Sequence, residues 1–188
     1  MDYELLGWPA DEVQLRLDHE RFSYAGKFVM TNTGKAVARD SDGALVAAAA
    51  FNEDRTDETT LWIRYVTVDR ERRGEGIGPE LLGLVRERAI ERGYERLRIA
   101  VNNPFAYEAL YRIGFEYTGE TTGIAELVLE YPRTDPADAT TETETQVRER
   151  YQAGIEEFRE RDLSTEEADF LESKRNSGPP DTEPHSER

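Results

Sequence analysis

Three glycines within five residues, at positions 74, 76 and 78, separate two runs of opposite character. Ahead of them lies Leu61–Val68 (LWIRYVTV), rich in the β-branched and aromatic residues that suit a strand. Behind them, Leu81, Leu82, Val85, Ala89 and Ile90 recur at helical spacing. Pro79 suits a first helical position, because its φ is fixed and it lacks an N–H. Gly93 suits a C-terminal cap. The glycines leave the main chain bare just before a helix. Successive N–H groups can then point into one space where the helix end adds partial positive charge, a place for a pyrophosphate. Arg72 and Arg73 add cationic donors. An ordinary strand-to-helix turn would use the same glycines. A nucleotide P-loop is excluded because Gly78 is followed by Pro79 rather than by Lys and Ser or Thr. A dinucleotide fingerprint is excluded by the spacing of the three glycines.

Further strands are expected at Val13–Leu17 from its alternation, at Ala36–Arg39 and Ala44–Phe51 around a turn at Asp40–Gly43, and at Leu97–Val101. Glu20–Met30 reads as helix or irregular chain, and Asn52–Thr59 as a loop. Asn102 or Asn103 can cap a second helix with Pro104 inside its start, ending at Gly114. Phe115–Tyr117 and Ile124–Tyr131 read as two strands around a turn at Gly119–Gly123. The centre of the chain is therefore strand–loop–helix–strand–helix, a mixed α/β core. No internal repeat is visible.

From Pro132 the composition changes. Thr134–Thr145 is rich in Thr, Glu and Asp and reads as a linker. Gln146–Arg161 forms an amphipathic helix through Val147, Tyr151, Ile155 and Phe158, and Ser164-Thr-Glu-Glu167 is a capping box for a short helix ending near Lys174. The apolar stripe docks on the rest of the chain or on a second copy as a homodimer, or else belongs to a weakly ordered appendage. The domain plan is a core at 1–132, a linker with acidic amphipathic helices at 133–175, and a disordered, proline-containing tail at 176–188.

The 188 residues carry 40 acids against 24 bases, a net charge of −16. That balance argues against nucleic acid as a partner, since phosphates would be repelled. Lys27, Lys35 and Lys174 are the only lysines. The excess acid either steers basic substrates at long range or suits high salt, where self-repulsion is screened. It covers tail and body alike, which favours high salt. The absence of cysteine excludes disulfides and thiolate metal sites. The two histidines, His19 and His185, do not form a histidine-rich site, so no metal is expected. No apolar run approaches the ~20 residues that span a bilayer, and MDYELLGWPADE lacks the pattern of a secretory signal. A cytoplasmic protein with no membrane partner is expected.

Taken in order, Val66-Thr-Val68, Arg73-Gly-Glu-Gly76-Ile-Gly78, Asn103-Pro-Phe-Ala106 and Gly114-Phe115 resemble the GNAT N-acetyltransferase superfamily. Its signature, R/Q-x-x-G-x-G/A at the start of a helix, is filled by Arg73, Gly76 and Gly78. The resemblance is strong over Leu61–Phe115 and extends in topology over Val13–Tyr131, leaving out the tail. It implies a central, mostly antiparallel sheet with a V-shaped splay between two parallel strands, flanked by helices. It implies acetyl-CoA as co-substrate and transfer of its acetyl group to a primary amine by direct attack in a ternary complex. The acceptor would be a small molecule or a protein amine. Backbone groups of Val66, Thr67 and Val68 would hold the acetyl and pantetheine arm. The stretch Arg73, Gly74, Glu75, Gly76, Ile77, Gly78 would hold the pyrophosphate, and Asn103 would touch the cofactor. In the family a tyrosine that protonates the leaving thiolate sits where this chain has Leu110. Tyr111 and Tyr107, its neighbours on the helix, are the candidates for that role, with simple packing as the alternative. A family glutamate early in the preceding strand is replaced by Trp62. Asp57, Glu58 and Glu126 are candidate bases, and Trp62 and Tyr65 line either an acceptor pocket or the core. These departures keep open a non-catalytic acyl-CoA-binding or regulatory module.

Overall fold

A computed structural model describes residues 1–132 and 142–182. Most of the expected linker and the last part of the expected disordered tail, His185 included, fall outside the described residues. The chain forms two compact units, Met1–Leu97 and the residues from Arg98 on. Together they make a mixed α/β fold.

The first unit holds the strands β1 (Asp2–Gly7), β2 (Gly34–Arg39), β3 (Leu45–Glu53) and β4 (Thr60–Val68), and the helix α1 (Ile77–Glu91). The strands lie side by side in that order, each antiparallel to the next. Val46–Phe51 is buried throughout, as befits a central strand covered on both faces. Leu15 and Phe28 pack with Val37, Ala48 and Ala50. Alternation turns Ala47 and Ala49 to the opposite face. The helix α1 packs across β1 to β4, burying Leu81, Leu82, Val85 and Ala89.

Two expectations are corrected here. The first strand is Asp2–Gly7, paired with β2 from Asp2↔Arg39 to Gly7↔Lys35, and Val13–Leu17 is irregular. The alternation at 13–17 arises because Leu15 is driven into the core, its N–H bonding the Phe28 carbonyl at 3.0 Å, with Leu17 packed half-buried beside it. Helix α1 begins two residues before Pro79, which therefore stands third in the first turn, where a missing N–H still costs no helical bond. Glu20–Met30 takes the irregular alternative, with one 3₁₀ turn at Ala25–Lys27.

The second unit contains most of β5 (Arg96–Val101), then α2 (Pro104–Arg112), β6 (Glu116–Thr121), β7 (Leu127–Tyr131), α3 (Glu144–Arg159) and α4 (Thr165–Ser173). The strand order is β5-β7-β6, with β6 and β7 antiparallel. Ile124, expected in a strand, lies in the β6–β7 turn and is 78% exposed; the turn is closed by the Thr122 N–H on the Glu126 carbonyl. The side chains of Thr143 and Ser164 cap α3 and α4. Tyr151, Ile155 and Phe158 are buried, and α3 packs on β6 and α4. Glu108 of α2, also buried, accepts from the Tyr151 hydroxyl at 2.6 Å and pairs with Lys174, so one carboxylate ties three helices. Residues 176–182 form neither helix nor strand, yet Arg148 and Gln152 of α3 donate to the Asn176 and Ser177 carbonyls. Among the described residues no helix is long and apolar enough to cross a membrane.

Candidate functional site

The loop from Asp69 to Gly76 joins β4 to α1. Gly74 and Gly76 both take positive φ, +83° and +80°, which L side chains rarely adopt. Gly76 is the N-cap of α1, and its carbonyl accepts the first helical bond, from Glu80 N–H at 3.1 Å. The N–H groups of Gly74, Gly76, Ile77 and Gly78 donate to no acceptor among the described residues. A Cβ built at Gly74 or Gly76 meets nothing within 4 Å, whereas at Gly78 it would touch Val68 Cγ2 at 3.4 Å. The loop thus forms an open cradle of unspent donors at the positive end of a helix, with the chemistry and space to receive a pyrophosphate.

The arginines are more committed than their number suggests. Arg72 forms a two-pronged pair with Glu75, Nε lying 2.8 Å from both carboxylate oxygens. That bond holds the Glu75 carboxyl below its ordinary pKa and raises that of Arg72. Arg72 therefore brings little net charge to the loop. Arg73 donates to Ser23 Oγ at 2.9 Å and has no acid partner among the described residues, which makes it the cation available to a phosphate.

One group that fixes this loop was not found in the sequence. Asp69, buried, caps the 3₁₀ turn Arg70–Arg72 through Glu71 N–H at 3.1 Å and accepts from Arg21 Nε at 2.8 Å. Its own N–H bonds the Val46 carbonyl at 2.8 Å. Burial pushes its pKa up, but the Glu71 N–H and the Arg21 guanidinium outweigh that and hold it below the usual value. A depressed folded-state pKa means stability that is present above the unfolded value and lost as the pH falls through the folded one. Asp69→Asn is expected to cost about 1–2 kcal/mol at pH 7, discounted for the half-exposed Arg21. In urea unfolding, the gap between wild type and variant should close as the pH drops below about 4.

Along β4, Val66, Thr67 and Val68 use one edge to pair with Ala49, Ala48 and Ala47. The Thr67 hydroxyl is buried without a partner among the described residues. Of the two expected base candidates in this unit, one is tied down and the other is exposed. Asp57 accepts from Thr59 N–H and Oγ1 and from Thr60 Oγ1, bonds that lower its pKa. Glu58 is exposed. Asp54, not singled out in the sequence, accepts from Thr56 N–H and Oγ1 and from Trp62 Nε1. Led by the Thr56 bonds, these contacts hold its pKa at about 2.

In the second unit, Asn103 caps α2. Its Oδ1 accepts from Ala106 N–H at 2.8 Å, leaving Nδ2 with only a long contact to Asn102. Tyr107 and Tyr111 are interior. The Tyr107 hydroxyl lies 3.3 Å from that of Tyr111 and donates to the Tyr151 carbonyl at 3.1 Å. The Tyr111 oxygen accepts from Tyr117 N–H at 3.0 Å. Burial pushes the Tyr111 pKa up to about 12 and that of Tyr107 further. Leu110 is buried as well.

A family profile described as the acetyltransferase (GNAT) family matches residues 3–115. The chain belongs to the GNAT acetyltransferase family. Among solved structures it is similar to nourseothricin acetyltransferase, at 28% identity over 52% of this chain and 64% of that one, TM-score 0.47. It is also similar to ribosomal-protein-alanine N-acetyltransferase from Brucella melitensis, at 24% identity over 52% and 67%, TM-score 0.47. A third likeness is to a phosphinothricin acetyltransferase from Sinorhizobium meliloti in complex with AcCoA, at 20% identity over 52% and 60%, TM-score 0.48. This GNAT chain therefore spans about two thirds or less of the length of these structures. No curated protein sequence matches it.

Proposed function

We propose that this GNAT chain transfers the acetyl group of acetyl-CoA to an amine. The observation that carries the reading is the cradle of free N–H groups at Gly74–Gly78, in the loop where the resemblance puts the CoA pyrophosphate. The N–H groups of Gly74, Gly76, Ile77 and Gly78, with Arg73, would hold the diphosphate. The β4 backbone at Val66–Val68 would align the pantetheine arm, and the unpartnered Thr67 hydroxyl supports a polar guest beside that strand. Asn103 would offer its remaining N–H group. Bound acetyl-CoA supplies an activated thioester. The neutral amine of the acceptor forms a bond to the carbonyl carbon and the C–S bond breaks. The amine sheds one proton and the leaving thiolate takes one up. The protein's contribution is placement of the two reactants. Asp54 is too weak a base to take the amine's proton and Asp57 is occupied, which leaves Glu58, Glu126 or a chain of waters to remove it.

Tyr111 and Tyr107 are the proposed proton donors to the thiolate, and their burial supports the packing alternative. A phenol raised to about 12 gives its proton only uphill to a thiolate whose own pKa lies near 8.5. We expect Tyr107→Phe and Tyr111→Phe to keep kcat within about threefold while lowering the thermal midpoint. A fall of about 10²-fold or more in either variant would assign that tyrosine the acid role.

The competing reading, a non-catalytic acyl-CoA-binding module, draws on the same buried hydroxyls and on Leu110 at the family tyrosine's place. Incubation with acetyl-CoA and a panel of amines separates the two. Sustained thiol release supports the transferase, and tight binding without turnover supports the module. The acidic, lysine-poor composition is read as fitness for high salt, and the cytoplasm as the setting, so the assay is run in molar KCl as well as in dilute buffer.

A further inference from the structure

The first unit holds a cleft of about 550 Å³. It is walled by β4 near its start and by the loops ahead of β2 and β4. Its lining includes Trp62, Arg64 and Tyr65 of β4. Tyr65 immediately precedes the Val66–Val68 stretch that would align the thioester arm, so the cleft borders the place where the acetyl carbon would lie.

A backbone irregularity shapes this wall. Ala50 of β3 pairs with Tyr65 and Phe51 pairs with Ile63, so Arg64 is an extra residue on β4. Such a bulge breaks the strict alternation of faces and re-aims side chains. It explains how the consecutive residues Arg64 and Tyr65 both face the cleft.

The charge in the cleft runs against the charge of the chain. Three cations line it: Lys27, Arg55 and Arg64. None of the three makes an ion pair among the described residues, although Arg39, Arg88, Arg98, Arg150 and Arg175 elsewhere all do. Arg64 donates Nε to Asn52 Oδ1 at 2.6 Å and lies over the Trp62 ring at 5.1 Å, which leaves its two terminal nitrogens unspent. Lys27 lies 6.0 Å from the centre of the Tyr65 ring. The single lining carboxylate, Asp54, has its oxygens taken by Thr56 and Trp62 but keeps its charge, which acts on Arg64, so three cations outweigh one acid in the cleft. In a chain with 16 more acids than bases, three unpaired cations converging on one aromatic-walled cleft mark a binding site for negative charge.

We propose that this cleft receives the acyl acceptor, and that the acceptor is an amine that also carries an oxyanion, a carboxylate or a phosphate. This inference rests on the acetyl-transfer reading above. Arg64, held by Asn52 and Trp62, engages the oxyanion with its free guanidinium edge; Arg55 and Lys27 add charge. The aromatic walls cover the acceptor's apolar body, and the amine is left pointing along β4 toward Val66. The overall acidity of the protein, which taken alone favours a basic acceptor, is overruled by the local charge.

The test uses matched amines at the lowest salt in which the protein stays folded: phenylalanine, phenylalaninamide, phenethylamine and phosphoethanolamine, each with acetyl-CoA. The oxyanion-bearing amines should show kcat/KM at least about tenfold above their neutral counterparts, a difference of about 1.4 kcal/mol. The ratio of phenylalanine to phosphoethanolamine separates carboxylate from phosphate. Arg64→Gln and Lys27→Gln should raise KM for the oxyanion-bearing acceptors with KM for acetyl-CoA unchanged. Occupancy is also read without turnover, from the fluorescence of Trp62 in a Trp8→Phe background. Equal binding and equal rates for charged and neutral amines would overturn the inference and leave the acetyl-transfer reading standing. Selective binding of oxyanions with no affinity for acetyl-CoA would overturn the acetyl-transfer reading, and the acceptor role with it, leaving the cleft as an oxyanion site only.

Discussion

Replacing Gly76 by valine is expected to weaken acetyl-CoA binding about a hundredfold, a loss of about 2.7 kcal/mol. Two effects act together. At φ +80° a β-branched residue is strained by about 1–3 kcal/mol, so the loop rearranges and its N–H groups lose their common aim. The valine side chain also fills space that the protein leaves open, since nothing lies within 4 Å of a Cβ built there. That same openness means that no protein atom is displaced, so the damage should fall on the ligand. Losing one or two charge-assisted bonds at about 1.5–3 kcal/mol each gives the stated magnitude. Gly76→Asn separates the two effects, because asparagine tolerates this backbone conformation while still filling the cradle. It should keep the thermal midpoint near that of wild type yet raise the Kd about tenfold, as read by calorimetry. An unchanged Kd in a folded Gly76→Val protein would remove the phosphate cradle and the function built on it.

How much of this was legible in the sequence follows from the range of the interactions. The Gly-rich loop, the Asn103 cap with Pro104 behind it, and the Ser164–Glu167 capping box are written within a few residues, because caps satisfy backbone groups one turn away. The strand β4 was legible from composition alone. What failed was non-local. Asp2–Gly7 is a strand because β2 is there to pair with it, and nothing in its own pattern says so. Val13–Leu17 alternates without being a strand because Leu15, with Leu17 beside it, packs against the core around Phe28. Asp69 and Arg21 lie 48 residues apart, so the contact that anchors the phosphate loop had no local signal. Arg64 and Tyr65 share a cleft only because of a bulge against β3, and bulges leave no mark in a run such as LWIRYVTV. The family resemblance, with helical spacing from Leu110, makes Tyr107 and Tyr111 candidates for the acid role, with packing as the alternative. The structure adds the α3 helix that covers them, a partner more than forty residues away.

That cover yields the second large effect. Gly154 sits in the middle of α3, where alanine would ordinarily gain about 1 kcal/mol of helix propensity. Here Gly154→Ala is expected to destabilise the protein by about 1–3 kcal/mol instead. A Cβ at this position would stand 2.1 Å from the Tyr107 hydroxyl oxygen and 2.5 Å from its ring carbon Cζ. Tyr107 cannot swing away cheaply. It is fully buried, its hydroxyl is bonded to the Tyr151 carbonyl, and its ring is packed edge-on against Phe158 at 5.5 Å and tilted against Tyr111 at 4.9 Å. The helix must therefore lift, and lifting it strains the Tyr151–Glu108 bond that ties α3 to α2. Thermal and urea unfolding of Gly154→Ala, Tyr107→Phe and the double variant form a cycle. Removing the hydroxyl deletes the shortest of the clashing contacts, so the double variant should lose less than the sum of the two single losses, by about 0.5–2 kcal/mol. Strict additivity, or a stabilised Gly154→Ala protein, would mean that α3 does not seat on Tyr107, and that the tyrosine hydroxyls are open to a ligand after all.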